Sequence, residues 1–179
     1  MTDDAVIWNR LAALLPEAEA QEVKDCRDIG EQEAGLGLLV SGILGHQVPI
    51  SETDRARISV LAETWGEREA LTAQILQFRD EGEPGPLKLI EGDGSTVPEA
   101  IGGAEQELAG LVLVPWIACT RCGQVLTRAY SRESWGDLSY LARHYVITTP
   151  DRATVSLLFS ADSAREAFVS LQRPCSDAP

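Results

Sequence analysis

Residues 28–54 read DIGEQEAGLGLLVSGILGHQVPISETD, an acidic start, an apolar glycine-laced helix, a proline turn and a capped second helix in one unit. Glu31 and Glu33 fall in a first turn, where carboxylates oppose the positive end of the helix favourably. Leu36, Leu39, Val40 and Ile43 follow at the spacing of one buried helical stripe. Gly35, Gly37 and Gly42 are unexpected there, since each costs about 1 kcal/mol against alanine in a helix interior. Their presence predicts a second helix crossing close by. Residues 45–49, GHQVP, form a turn, and Ser51-Glu52-Thr53-Asp54 has the Ser/Thr-x-x-acid pattern of a helix N-terminus. Ile58, Leu61, Ala62 and Trp65 then share one face.

Outward from this unit, three more helices are predicted. Asp3 or Asp4 can cap the first, with Ile7, Leu11, Leu14 and Leu15 as its stripe and Trp8 extending it. Leu15-Pro16 ends it, because the residue before proline is pushed out of the α region. A second, Glu17–Ile29, has Ala18, Val23 and Cys26 as its small apolar side and closes at Gly30. A fifth in chain order, Glu67–Phe78, carries Leu71, Ile75 and Phe78. Five short helices joined by tight turns make an α-helical module over residues 1–81.

Composition shifts after residue 81. Residues 82–103 hold GEPGP, EGDGS, Val97-Pro98 and Gly102-Gly103, which read as turns and linker around a short strand at Leu87–Ile90. Residues 104–179 read as a small mixed α/β part. Leu111–Val114 is strand-like but runs into Pro115, which predicts an edge strand or a bulge. Gln124–Tyr130 can pair with Trp116–Ala118 as a hairpin. Ser134-Trp135-Gly136-Asp137 repeats the cap pattern and predicts a short helix burying Leu138 and Leu141, with His144 at its end. Tyr145–Thr148 and Thr154–Phe159 flank a Thr149-Pro150-Asp151-Arg152 turn. A closing helix, Ala161–Gln172, buries Ala164, Phe168 and Leu171. The expected class is α+β, a helical bundle followed by antiparallel hairpins.

The formal net charge is −13, and its placement is informative. Residues 1–100 hold 20 Asp/Glu against 8 Lys/Arg, while residues 101–179 hold 8 against 7. An acidic field of this kind repels nucleic acid and anionic lipid and attracts basic partners. Charge that only maintains solubility is the other reading. At 179 residues the chain buries roughly 70% of its unfolded surface, enough for an unassisted core. The first twenty residues lack a basic leader pattern, and Leu36–Leu44 and Leu111–Ala118 are too short to span a bilayer. A cytoplasmic protein is expected.

Candidate chemistry is sparse. Cys119-Thr120-Arg121-Cys122-Gly123 has the form of a zinc half-site, because a hairpin turn can aim both thiolates inward. Completing it would take Cys26, Cys175, His46 or His144, all distant in sequence; a redox pair, which wants the first cysteine at a helix N-terminus, and two structural thiols are the alternatives. No cofactor is expected beyond that possible zinc. His46 and His144 have no serine, cysteine and acid arranged near them in sequence. Glu17, Glu19, Glu22, Asp25, Asp28, Glu31 and Glu33 form the densest carboxylate run, readable as solvated helix faces or as a binding surface. Glycine-rich phosphate loops and basic patches with aromatics are absent, and nothing marks a catalytic pair.

Leu14-Leu15-Pro16, Glu22-Val23, Ile29-Gly30-Glu31, Leu36, Leu39, Ile43-Leu44 and Val48-Pro49-Ile50-Ser51, followed by the Ile58…Leu61 helix, carry a resemblance. Over Trp8–Gly66 the chain resembles the helical MafI-like immunity proteins of bacterial polymorphic toxin systems. The resemblance implies a small cytosolic inhibitor that neutralises a cognate toxin domain, often a nuclease, by stoichiometric occlusion. It implies no catalytic residue and no direct contact with nucleic acid or membrane. The seven carboxylates from Glu17 to Glu33 are then the candidate partner-binding residues, against a basic toxin surface. A general interaction or regulatory module, with zinc at Cys119 and Cys122, is the alternative function.

Overall fold

Apolar residues three and four apart drive five helices in the first half of the chain, seen in a computed structural model that describes residues 3–91, 105–152 and 154–173. They are α1 (Asp3–Ala12), α2 (Glu17–Asp28), α3 (Gln32–Gly45), α4 (Glu52–Thr64) and α5 (Arg68–Ile75). Trp8, Leu11, Ala12 and Leu15 bury the inner side of α1 and its following turn, and Leu36, Leu39, Val40 and Ile43 that of α3. In α2 the buried side is Ala20 and Val23, whereas Ala18 faces solvent. Gly30, at φ +89°, closes α2 as the sequence predicts.

The helix glycines divide. A Cβ on Gly35 would lie 3.1 Å from Cys26 Cβ and 3.2 Å from the Val23 carbonyl oxygen. On Gly42 it would lie 2.9 Å from Glu19 Oε2 and from Leu15 Cδ2. These two positions let α3 close on α2 and on the turn after α1, as the sequence predicts. Gly37 corrects that expectation: it has no atom within 4 Å of a Cβ and takes no part in the crossing.

α4 begins with the cap its sequence predicts. Ser51 Oγ accepts from the Asp54 backbone N–H at 3.1 Å and donates to Asp54 Oδ2 at 3.0 Å. Asp54 also pairs with Arg10 at 3.2 Å and Arg57 at 2.5 Å. Burial pulls the Arg57 guanidinium below its ordinary value and the Asp54 carboxylate opposes that shift. Arg55, buried in the same helix, reaches the end of α5. Its guanidinium donates to the Phe78 carbonyl at 2.9 Å and to those of Leu76 and Ile75 at 3.3 and 3.4 Å. A side chain of α4 thus satisfies the carbonyls that the last turn of α5 leaves open. The segment beyond α5 is held by Ile50, which exchanges backbone bonds with Arg79 and Glu81.

The chain divides into two compact units, Met1–Pro84 and Gly85–Pro179. The second is a five-stranded antiparallel sheet in chain order: β1 (Leu87–Leu89), β2 (Val112–Cys119), β3 (Val125–Tyr130), β4 (His144–Thr148) and β5 (Val155–Ser160). A one-turn helix, α6 (Glu105–Leu108), precedes β2, and α7 (Ala164–Gln172) follows β5. The architecture is α+β, with the helices gathered mainly before the sheet. Leu87–Leu89 forms a strand as expected, and Ile117 and Ala118 pair with Leu126 and Val125 in the expected hairpin.

Pro115 behaves differently from one of its two readings. The register shifts between Pro115 and Ile117, so the bulge is present, but β2 lies inside the sheet between β1 and β3. An extra residue at that point accommodates the missing N–H without ending the strand. β3 is buried along its whole length. Its Arg128 stacks over the Trp116 ring at 4.7 Å and pairs with Glu91, so the buried cation is matched on both sides. Leu113, Ala129 and Val146 form one sheet face under Leu108, with Leu111, Val155 and Leu158 packed around it. α7 packs on β3, β4 and β5 and buries Ala164, Ala167, Phe168 and Leu171.

The helix expected from Ser134 is absent. Residues 131–143 instead make a pinned excursion between β3 and β4, with a bridge between Arg132 and Leu138. Gly136, at φ +102°, turns the chain, and Glu133 N–H donates to the Asp137 carbonyl at 2.8 Å. Ser139 Oγ accepts from the Ser131 N–H and donates to the Leu141 carbonyl at 2.9 Å. These side-chain bonds give the backbone an alternative to helix. Leu141 is therefore 59% exposed rather than buried, beside Trp135 at 72% and Tyr140 at 55%. His144 opens β4, and its Nδ1 lies 3.3 Å from the Phe159 carbonyl.

Candidate functional site

The carboxylate run of the first unit falls on two helices. Glu17, Asp25 and Asp28, with Gln21, recur at helical spacing along the outer stripe of α2, all exposed. Glu31 precedes α3 and Glu33 lies in its first turn, both exposed. The backbone dipole favours Glu17 and Glu19 in the first turn of α2 and Glu33 in that of α3, whereas Asp25 and Asp28 lie in the last turn of α2, where it does not.

The seven groups do not stand alike. Asp28 pairs with Arg27, whose Nε lies 2.8 Å from Asp28 Oδ1. Arg27 also donates to Asn9 Oδ1 at 3.1 Å and the Ala5 carbonyl at 3.3 Å, tying α2 to α1. Asp25 accepts from Gln21 Nε2 at 2.7 Å. Glu17, Glu22, Glu31 and Glu33 have no side-chain partner among the described residues. Their charges are carried by solvent.

Glu19 and Glu22 are set apart from the rest by geometry. They lie three residues apart on α2, on the side turned towards α3, and they border an open groove of about 430 Å³. Leu38, Ser41, Gly42, Gly45 and His46 supply the α3 side of the groove. His46 Nε2 donates to Glu19 Oε1 at 2.7 Å, with the two side chains 44% and 41% exposed. The groove is open at Gly45, where a Cβ would meet nothing within 4 Å, whereas at Gly42 the Glu19 carboxylate and the Leu15 side chain already occupy the space a Cβ would take. Leu38, 41% exposed, adds an apolar wall.

In the sequence Glu19 and Glu22 stand out only as members of the acidic run, and His46 falls in a turn. The structure brings His46 and Glu19 together across 27 residues, a pairing with no local signal. The one available clue was the glycine spacing of α3, which predicts the close crossing that carries Glu19 over Gly42.

The cysteine pair stands in the β2–β3 hairpin. Cys119 is buried at the end of β2, and Cys122 Sγ lies 3.7 Å from Gln124 Oε1. Both are free thiols, as is Cys26. Among the described residues no three His, Cys, Asp or Glu gather where a metal could be held; Cys175 lies outside them. Among those same residues no helix is long and apolar enough to cross a membrane.

No family model matches the chain, and no characterised protein or solved structure shows significant similarity to it.

Proposed function

We propose that the first unit binds a basic protein partner through the acidic side of α2 and α3, acting as an immunity-type inhibitor of a toxin domain. The observation that carries this reading is the run of seven carboxylates, Glu17 to Glu33, along α2 and the start of α3, six of them exposed and Glu19 half-buried. Four of them have no side-chain partner among the described residues, so a basic surface can neutralise them without first breaking such a pair. Within Met1–Pro84, 17 Asp/Glu face 7 Lys/Arg, so the field around those helices is negative as well. Such a field accelerates association with a basic domain and disfavours acidic competitors. Occlusion of a nuclease cleft needs roughly 800 Å² on the inhibitor's side, which two short helices and a turn can supply.

The resemblance over Trp8–Gly66 supplies the class of partner, and the test follows from it. The domain encoded beside this gene is to be co-expressed with the chain, and growth and complex formation measured. Rescue of growth together with a 1:1 complex is expected, and the double charge reversal Glu22→Lys and Asp25→Lys is expected to weaken both. A neighbouring product that neither poisons cells nor binds the chain refutes the proposal.

A further inference from the structure

The geometry points to the α2–α3 groove as a seat for one arginine side chain of a protein partner, an assignment that rests on the acidic-face reading and sharpens it. Three features select that chemistry. Glu19 and Glu22 stand one helical turn apart on one side of the groove, so their carboxylates can be bridged by one planar group. A guanidinium presents five donors in a fixed fork and suits such a bridge, whereas an ammonium is a single point charge. Leu38, 41% exposed, lies on the opposite helix and offers an apolar surface to the methylene stem.

The groove is also prepared for this occupant. His46 holds Glu19 Oε1 from the end of α3, which fixes the carboxylate before a partner arrives. Glu22 has no partner among the described residues, so its charge is free to be matched. Gly45 leaves the α3 side of the groove at backbone level, next to the Glu19 carboxylate that lies over Gly42. The remaining carboxylates of the run lie outside the groove and steer without seating.

The test uses the full chain, amide NMR spectra at low ionic strength, and an acetylated triarginine peptide with its trilysine counterpart. Triarginine is expected to produce saturable shifts at Ser41, Gly42 and Gly45, with half-saturation at about fivefold lower concentration than trilysine. Glu22→Gln is expected to weaken triarginine binding by about fivefold, within the range of an exposed charge pair. Gly45→Arg places a cation in the groove from the chain itself and is expected to abolish the shifts at Ser41 and Gly42. Gly37→Arg, equal in charge but away from the groove, is expected to leave them in place. Shifts spread over Asp25, Asp28 and Glu33 without Gly42 and Gly45 overturn the groove assignment and leave the acidic face standing. Equal binding of the two peptides overturns the choice of arginine. No saturable shift anywhere overturns the groove assignment and leaves the immunity reading to the co-expression test, whereas groove binding without toxin rescue removes only the immunity function.

Discussion

Gly35 and Gly37 are two residues apart on one helix and have opposite roles. At Gly35 the atoms a methyl group would meet are a Cβ and a backbone oxygen of α2, neither free to move without shifting the helix. At Gly37 there is open space, so only the conformational cost of glycine remains. Gly37→Ala is expected to raise the denaturation free energy by about 0.5–1 kcal/mol. Gly35→Ala is expected to lower it by roughly 1–2 kcal/mol, because overpacking outweighs the same gain in helix propensity. Equal effects in urea titrations would show that the crossing is looser than described. Asp162, in the turn between β5 and α7, offers a second test at this scale. Hydrogen bonds, first from the Ser160 hydroxyl at 2.5 Å, hold its carboxyl below the ordinary carboxylate range. A depressed folded value gives stability that is present above the unfolded pKa and is lost as pH falls through the folded one. Ser160→Ala is expected to bring the Asp162 titration, followed by side-chain NMR, back up towards the ordinary range.

Elements were legible where one local pattern decides them. The stripes of α1 and α3 and the Ser51 cap of α4 needed only neighbours three and four residues away. The β2–β3 and β4–β5 hairpins needed only their turns. Misreadings arose where a local pattern met a competitor. Ser134–Asp137 has the residues of a helix start, but Gly136 at positive φ and the bonds of Ser139 turn the chain first. Pro115 lacks a donor, yet β2 is an inner strand: β1 pairs with Ile117–Cys119, past the bulge, and not with Pro115. Of the candidate site, the carboxylates could be named from sequence and the groove could not, since His46 and Glu19 are joined only by folding. Arg55 is the same case: nothing in its neighbourhood announces that it closes α5. Arg55→Met keeps the bulk and removes the donors to Ile75, Leu76 and Phe78. It is expected to cost about 2–3 kcal/mol, with earlier amide exchange in α5 than in α3. Uniform exchange in both helices would mean the link between α4 and α5 is not the one holding α5 in place.

For the molecule as a whole, the charge distribution sets how it meets others. The first unit carries most of the excess of 28 acidic over 15 basic residues, so association with a basic partner is expected to slow with added salt. The same excess acts between copies of the chain. β5 is bonded to β4 along one edge and takes no strand on the other among the described residues, and its Leu157 is 48% exposed. At neutral pH the formal charge of −13 keeps such edges apart. Near the sequence pI of about 4.5 that colloidal repulsion vanishes, and the row of open backbone groups becomes a template for stacking. Light scattering is expected to rise in acidified solutions as β-rich particles form, and Leu157→Lys, adding a charge to the strand, to delay it. Storage conditions for this protein are therefore written in its last strand.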